Sequence, residues 1–110
     1  MQPLHNIRIL DITRALAGPY CTMMLGDLGA EVLKVERPAI GDERRGWVPP
    51  VVGKPYGSYP GESAYFIAAN RNKRSLTVNI QSAEGQEIIR KLAGVAGVLV
   101  ENYRTGDLDR

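Results

Sequence analysis

Ile7-Arg8-Ile9-Leu10-Asp11-Ile12-Thr13-Arg14-Ala15-Leu16-Ala17-Gly18-Pro19 opens the stretch whose reading decides the fold, and Glu31-Val32-Leu33-Lys34-Val35-Glu36 closes it. Ile7 to Leu10 is a short branched-aliphatic run with Asp11 and Thr13 behind it, which reads as a buried strand entering a polar loop. Pro19 suits a first helical position, where its missing N–H has no partner to lose, and Gly29 suits the residue just past a helix end. Between them Cys21, Met24, Leu25 and Leu28 recur at i, i+3, i+4 and i+7. This predicts a helix from Pro19 to about Leu28, with Cys21 as a small core residue. Glu31 to Glu36 has the length and composition of a strand. Strand, helix and strand together predict a right-handed βαβ unit with parallel strands.

From 38 to 62 the pattern changes. Five of the seven prolines (Pro38, Pro49, Pro50, Pro55, Pro60) and five glycines crowd into this stretch without any apolar period. It reads as one long irregular loop, beyond the roughly 12–15 residues common inside a compact domain. Ser63 to Ala69 then suits a short helix burying Tyr65, Phe66 and Ala69. Asn70-Arg71-Asn72-Lys73-Arg74 reads as a basic turn, and Ser75 to Asn79 as a third strand. Ser82 can cap the next helix, whose Gly85, Ile88, Ile89 and Leu92 form an apolar stripe while Glu84, Glu87, Arg90 and Lys91 face water. Gly94 and Gly97 end that helix. Val98-Leu99-Val100, wholly apolar, is expected at the centre of a sheet covered on both faces. The order predicts an α/β fold: an open, Rossmann-like parallel sheet with helices on both faces. Residues 1–110 are read as an incomplete portion of such a fold, because the chain stops just past the last strand at Gly106-Asp107-Leu108-Asp109-Arg110 and leaves an open sheet edge.

Composition narrows the function classes. With 14 basic residues against 12 acidic ones, the net charge of +2 does not suit a dedicated nucleic-acid binder, which needs many cations to neutralise phosphates. No apolar run reaches the roughly 18 residues of a membrane span, and Met1-Gln2-Pro3-Leu4-His5 has no plan of a secretory or transit signal. One Cys makes no internal disulfide, and one His offers no metal-ligand cluster. A soluble cytoplasmic protein without metal, nucleic-acid or membrane partner is the expectation.

In open parallel sheets, ligands sit beyond the carboxyl ends of the strands, where successive connections leave in opposite directions. Asp11 to Gly18, Glu36-Arg37 and Glu101-Asn102-Tyr103-Arg104 gather there. A dinucleotide site is disfavoured, since Asp11 to Gly18 supplies one late glycine where three would let a backbone approach a pyrophosphate. The helix N-terminus after the first strand still favours an anion, and phosphate of some other nucleotide stays open. Arg37, Arg71, Lys73, Arg74, Arg104 and Arg110 are candidate anion contacts, each weighed against being a solvated surface charge, and Tyr103 could stack on a flat ring. Asp11 reads better as a turn or helix cap than as a catalytic acid. Gly26-Asp27-Leu28-Gly29-Ala30 closes a helix and is no phosphate loop. His5 and Trp47 have no nameable partner.

These residues carry a resemblance. Leu10-Asp11-Ile12-Thr13, Ala17-Gly18-Pro19, Leu25-Gly26-Asp27-Leu28-Gly29-Ala30-Glu31-Val32-Leu33-Lys34-Val35-Glu36-Arg37-Pro38, Gly41-Asp42, Asn72-Lys73-Arg74-Ser75, Val100-Glu101-Asn102-Tyr103 and Leu108-Asp109-Arg110 resemble, in this order, the N-terminal part of the class III CoA-transferases. That family includes formyl-CoA:oxalate, succinyl-CoA:glutarate and carnitine CoA-transferases, with α-methylacyl-CoA racemases as relatives. The likeness runs from about Leu4 to Arg110.

The resemblance implies the N-terminal, coenzyme A-binding portion of a large Rossmann-like domain, in complete subunits that interlock as a homodimer. Acyl-CoA and a carboxylic acid acceptor are then the substrates, with no permanently bound cofactor. Carried over by position, Ala15, Leu16 and Ala17 line the coenzyme and Arg37 lies over the adenine or its phosphate. Val78, Asn79, Ile80 and Gln81 flank the nucleotide, Asn102, Tyr103 and Arg104 hold the pantetheine and diphosphate region, and Arg110 meets a phosphate. Some relatives have a basic residue where Gln81 stands, so that charge contact is lost here. The family transfers CoA through an aspartyl anhydride and an aspartyl-CoA thioester. Its nucleophilic aspartate is expected beyond Arg110, because none of Asp11, Asp27, Asp42, Asp107 or Asp109 aligns with it. The segment alone is therefore expected to be inactive. A racemase-type activity on 2-methylacyl-CoA, or a non-catalytic truncated fragment that binds CoA or a partner subunit, stands as the alternative.

Overall fold

The computed structural model describes residues 2–38, 51–52 and 62–109. Along them run β1 (Arg8–Asp11), α1 (Ala17–Asp27), β2 (Glu31–Glu36), β3 (Val51–Val52), β4 (Glu62–Ser63), α2 (Ala64–Asn70), β5 (Lys73–Thr77), α3 (Ala83–Val95) and β6 (Val98–Val100). The main sheet has the order β5-β2-β1-β6, and every pairing in it is parallel. Leaving β1, the chain steps through β2 to β5 in one direction. From β5 it crosses back over the whole sheet to β6. With right-handed crossovers this reversal places α1 and α2, which contact each other, on one face and α3 on the other. The switch point falls between β1 and β6, as the sequence order required for an open α/β sheet.

The face beneath α1 is closed by an unexpected set of side chains. Strand register puts Ile9, Asp11, Val32, Lys34, Glu36 and Lys73 on this face. Ile9 and Val32 form an apolar cluster with Ala30, against which Leu4, Leu25 and Val100 pack. Beside them Asp11, Lys34 and Glu36 are buried, and Ser75 donates its hydroxyl to the Glu36 carboxylate. Helix α1 turns Pro19, Thr22 and Met23 inward, while Cys21 and Met24 are exposed. The predicted Cys21/Met24/Leu28 stripe is thus corrected. The buried face is rotated because the Thr22 hydroxyl reaches the Asp11 carboxylate across the interface, 2.6 Å away. Pro19 is the third residue of α1, where its missing N–H still breaks no helical bond.

Two further corrections concern strands. β5 begins at Lys73, two residues before the expected Ser75, because the Lys73 side chain is drawn inward to Asp11 and its backbone pairs with Val32. Only Arg71 and Asn72 are left in the turn, with Asn72 at φ 60, a left-handed conformation that Asn tolerates. Val98–Val100 is an edge strand and not a central one. Its Val98, on the α1 face, and Leu99, on the α3 face, are 41% and 44% exposed at this edge, and α3 leaves Ile88 and Val95 open as well.

Within the stretch read as an irregular loop, Val51–Val52 and Glu62–Ser63 pair as a short antiparallel ribbon, and α2 follows directly. The remainder of that stretch, with Trp47, lies outside the described residues. So do the side chains of Tyr65 and Phe66, whereas Ala69 is buried as expected.

Candidate functional site

Asp11 ends β1 and anchors the loop that leaves it. Its carboxylate takes the Thr13 backbone N–H at 2.9 Å, the Thr13 and Thr22 hydroxyls, and the Lys73 ammonium at 3.0 Å. The two side chains of the ion pair are 0% and 2% exposed. Burial alone would raise the Asp11 carboxyl. The Lys73 charge and the hydrogen bonds of Thr13 and Thr22 outweigh burial and hold it below the ordinary carboxylate range. Lys73 also donates to the Pro19 carbonyl in the first turn of α1 and to Asn70 at the end of α2, each within 3.0 Å. Asp11 is therefore a structural anchor, as the capping alternative anticipated. Lys73 faces inward and is withdrawn from the anion contacts expected of it.

Arg71 and Arg74 are likewise engaged. Arg71 clasps Asp27 through two nitrogens, the shortest contact being 2.7 Å, and Asn72 adds a further bond to the same carboxylate. The Arg71 bonds hold the Asp27 carboxyl below its usual range. Arg74 reaches Glu31 at 3.1 Å. Both pairs lie toward the amino ends of the strands, since α1 runs antiparallel to them and Asp27 is its last residue. They are remote from the switch point.

At the carboxyl ends a cleft of about 860 Å³ opens, within the roughly 300–1,000 Å³ of typical ligand sites. Ile12 follows β1, Arg37 follows β2, Val78 to Gln81 follow β5, and Tyr103 follows β6; all line it. Ile12 is held in place by its N–H to the Val100 carbonyl, and Val78 by its N–H to the Glu36 carbonyl. Ile89 and Arg90 of α3 form the opposite wall. The start of α3 is set by Ser82, whose hydroxyl accepts the Gly85 N–H and donates to the Asn79 carbonyl, each at 2.9 Å. Gly85 has to be glycine at this crossing, because a Cβ would overlap the Asn79 carbonyl oxygen.

Positive charge in the cleft comes from Arg14, Arg37 and Arg90, against the single carboxylate of Asp107. The Arg14 guanidinium stacks over the Tyr103 ring, 5.0 Å from its centroid. Burial pushes the Tyr103 hydroxyl above its usual value, and the nearby Arg14 and Arg37 charges oppose that rise. The Asn102 amide grips the Arg14 backbone at both ends, accepting its N–H at 3.0 Å and donating to its carbonyl at 2.7 Å.

The predicted site residues thus divide. Arg37, Val78, Asn79, Ile80, Gln81 and Tyr103 line the cleft. Ala15, Leu16, Ala17, Asn102 and Arg104 do not form its wall, although Asn102 fixes the loop that does and Ala15 turns that loop at φ 67. Leu16 is 57% exposed. Arg110 lies outside the described residues. Sequence reasoning passed over Arg14 and assigned Arg90 to water. The position of Arg14 directly behind the first strand was the available signal.

This geometry, an anion-compatible cleft at the switch point of an open parallel sheet, agrees with sequence comparison. The sequence model of CoA-transferase family III matches residues 4–110. The chain belongs to CoA-transferase family III. It is 54% identical over 108 residues to the mouse (Mus musculus) succinyl-CoA:glutarate CoA-transferase, covering 98% of this chain and 23% of the relative. Against the formyl-CoA:oxalate CoA-transferase of Escherichia coli it is 40% identical over 107 residues, covering 97% and 24%. A crystal structure of a CaiB/BaiF family protein from Brucella suis superposes with a TM-score of 0.88 at 42% identity, over 98% of this chain and 28% of the other. This family III chain therefore spans about a quarter of the length of the relatives it matches. Among its described residues no helix is long and apolar enough to cross a membrane.

Proposed function

We propose that the protein transfers coenzyme A from an acyl-CoA thioester to a carboxylic acid, and that this N-terminal portion supplies the coenzyme-binding cleft. The observation that carries the reading is the placement of Arg14, Arg37 and Tyr103 together at the β1/β6 switch point. Coenzyme A is a polyanion with a flat adenine ring. Guanidinium forks hold phosphates through charge-assisted hydrogen bonds, and an aromatic ring beside them offers a stacking surface. Val78, Ile80 and Ile89 add apolar wall for the less polar parts of the ligand.

The acyl-transfer step is assigned to an aspartate beyond residue 110, which forms an aspartyl anhydride with the donor acyl group and releases CoA thiolate. Asp107 lines the cleft but does not align with the family's nucleophile, and the states of two other aspartates support that placement. Asp11 is inaccessible and fully engaged, and Asp27 is clasped by Arg71 and Asn72 away from the cleft. Complete subunits are proposed to interlock as a homodimer in the cytoplasm. The open apolar residues Ile88, Val95 and Leu99 support further protein covering this side.

In the full-length protein, Arg37→Ala is expected to raise the KM for acyl-CoA ~10-fold, the order of one lost charged hydrogen bond. An unchanged KM overturns the cleft assignment. The isolated 110-residue segment is expected to show no transfer from a radiolabelled acyl-CoA to any dicarboxylate; turnover there would contradict the placement of the nucleophile.

A further inference from the structure

The loop between β1 and α1 carries Arg14 into the cleft, and its shape is fixed from below. Thr13 binds the Asp11 carboxylate twice, through its backbone N–H and its hydroxyl. Lys73 ties the same carboxylate to the first turn of α1 through the Pro19 carbonyl. Helix α1 also starts directly against Thr13, since a Cβ on Gly18 would overlap the Thr13 side chain. Both ends of the loop are thereby pinned, and the few residues between must turn sharply. Ala15 takes a left-handed φ of 67 to do so, a conformation unfavourable for any residue with a Cβ that the surroundings must hold in place. The Asn102 amide then fixes the Arg14 backbone, and the guanidinium lies over Tyr103.

We infer that Thr13, held by the buried Asp11–Lys73 pair, is a positioning residue that presents Arg14 to the coenzyme. This rests on the reading of the cleft as a coenzyme site. Thr13 is buried and lies outside the lining of the large cleft. It acts by converting a buried ion pair into the conformation of an exposed loop, so that the coenzyme meets a preformed cation instead of ordering one. Thr22 bonds the same carboxylate from the helix side and serves as the natural contrast, since its loss weakens packing without altering the loop.

The test compares Thr13→Val, Thr13→Ser and Thr22→Val in the full-length protein, with Arg37→Ala alongside. Thr13→Val nearly keeps volume and the backbone bond, and replaces the hydroxyl by a methyl that cannot donate to Asp11. It is expected to raise the KM for acyl-CoA ~5-fold with kcat within about twofold of the parent, the pattern of lost binding. Thr13→Ser restores the parental KM, and Thr22→Val lowers Tm while KM holds. Limited trypsin cleavage after Arg14 is faster in Thr13→Val than in Thr22→Val, a readout of the loop that does not depend on activity. A parental KM and parental cleavage rate in Thr13→Val overturn the inference, as does a KM that merely tracks Tm across the three variants. If Arg37→Ala raises KM and Thr13→Val does not, the positioning role alone fails. If neither does, the coenzyme reading of the cleft fails with it.

Discussion

The two faces of the sheet differ in what accompanies their apolar residues. Beneath α1 and α2, charged and hydroxyl side chains are buried and matched: Asp11 with Lys73, Thr13 and Thr22. Beneath α3 the residues are apolar, yet Ile88, Val95 and Leu99 remain open and the cleft lies at that face's upper end. Polar matching gives the first face directional restraints, which fix where loops leave the sheet. Apolar cover on the second face is non-directional and leaves a surface on which a ligand or further protein can lie.

The largest effect should come from breaking the buried pair. Lys73→Met strands the Asp11 carboxylate and is expected to cost about 3–5 kcal/mol in urea unfolding, whereas Asp11→Asn combined with Lys73→Met should recover much of that loss. If the single and double variants unfold alike, the pair is not the organising contact of its face. Gly85→Ala comes next, on the α3 side. The new methyl overlaps the Asn79 carbonyl and is expected to destabilise by about 1–3 kcal/mol. Acid unfolding sharpens the contrast further. A carboxyl lowered from its ordinary 3.8 stabilises fully above that value and loses its contribution as pH falls through the lowered folded value. Asp11→Asn should therefore flatten the pH dependence of stability below that ordinary value, and a profile identical to the parent's would contradict the role given to Asp11. Smallest of all are the exposed sites: Cys21→Ser and Val95→Ser should each stay within about 0.5 kcal/mol of the parent in the same measurement. A large loss for Cys21→Ser would restore the apolar stripe that the structure replaced.

Why some of this could be read from the sequence is explained by the same contrast. Apolar runs at Ile9-Leu10 and Val32-Leu33 announce strands, and Pro19, Gly29 and Ser82 mark helix ends, so the succession of main-sheet strands and helices was legible, whereas β3 and β4 were not. The inward face of α1 was not, because periodicity counts only apolar residues and Thr22 is buried for its hydroxyl. Lys73 misled in the same way, reading as a surface cation when its partner lies 62 residues earlier in β1. For the cleft, Arg37 and Tyr103 follow from the rule that ligands meet strand ends, whereas Val78 came only from the family resemblance. Arg14 obeys that rule equally, and only its crowding among loop residues hid it. Arg90 reaches the cleft through the placement of α3 against the sheet, which no local pattern records.

The most direct test of the central claim is hydrogen exchange of the full-length protein with and without coenzyme A. The account predicts protection concentrated at residues 12–14, 78–81 and 103, three of the four strand ends that form the cleft. Protection confined to other segments, with those three unchanged, would contradict it.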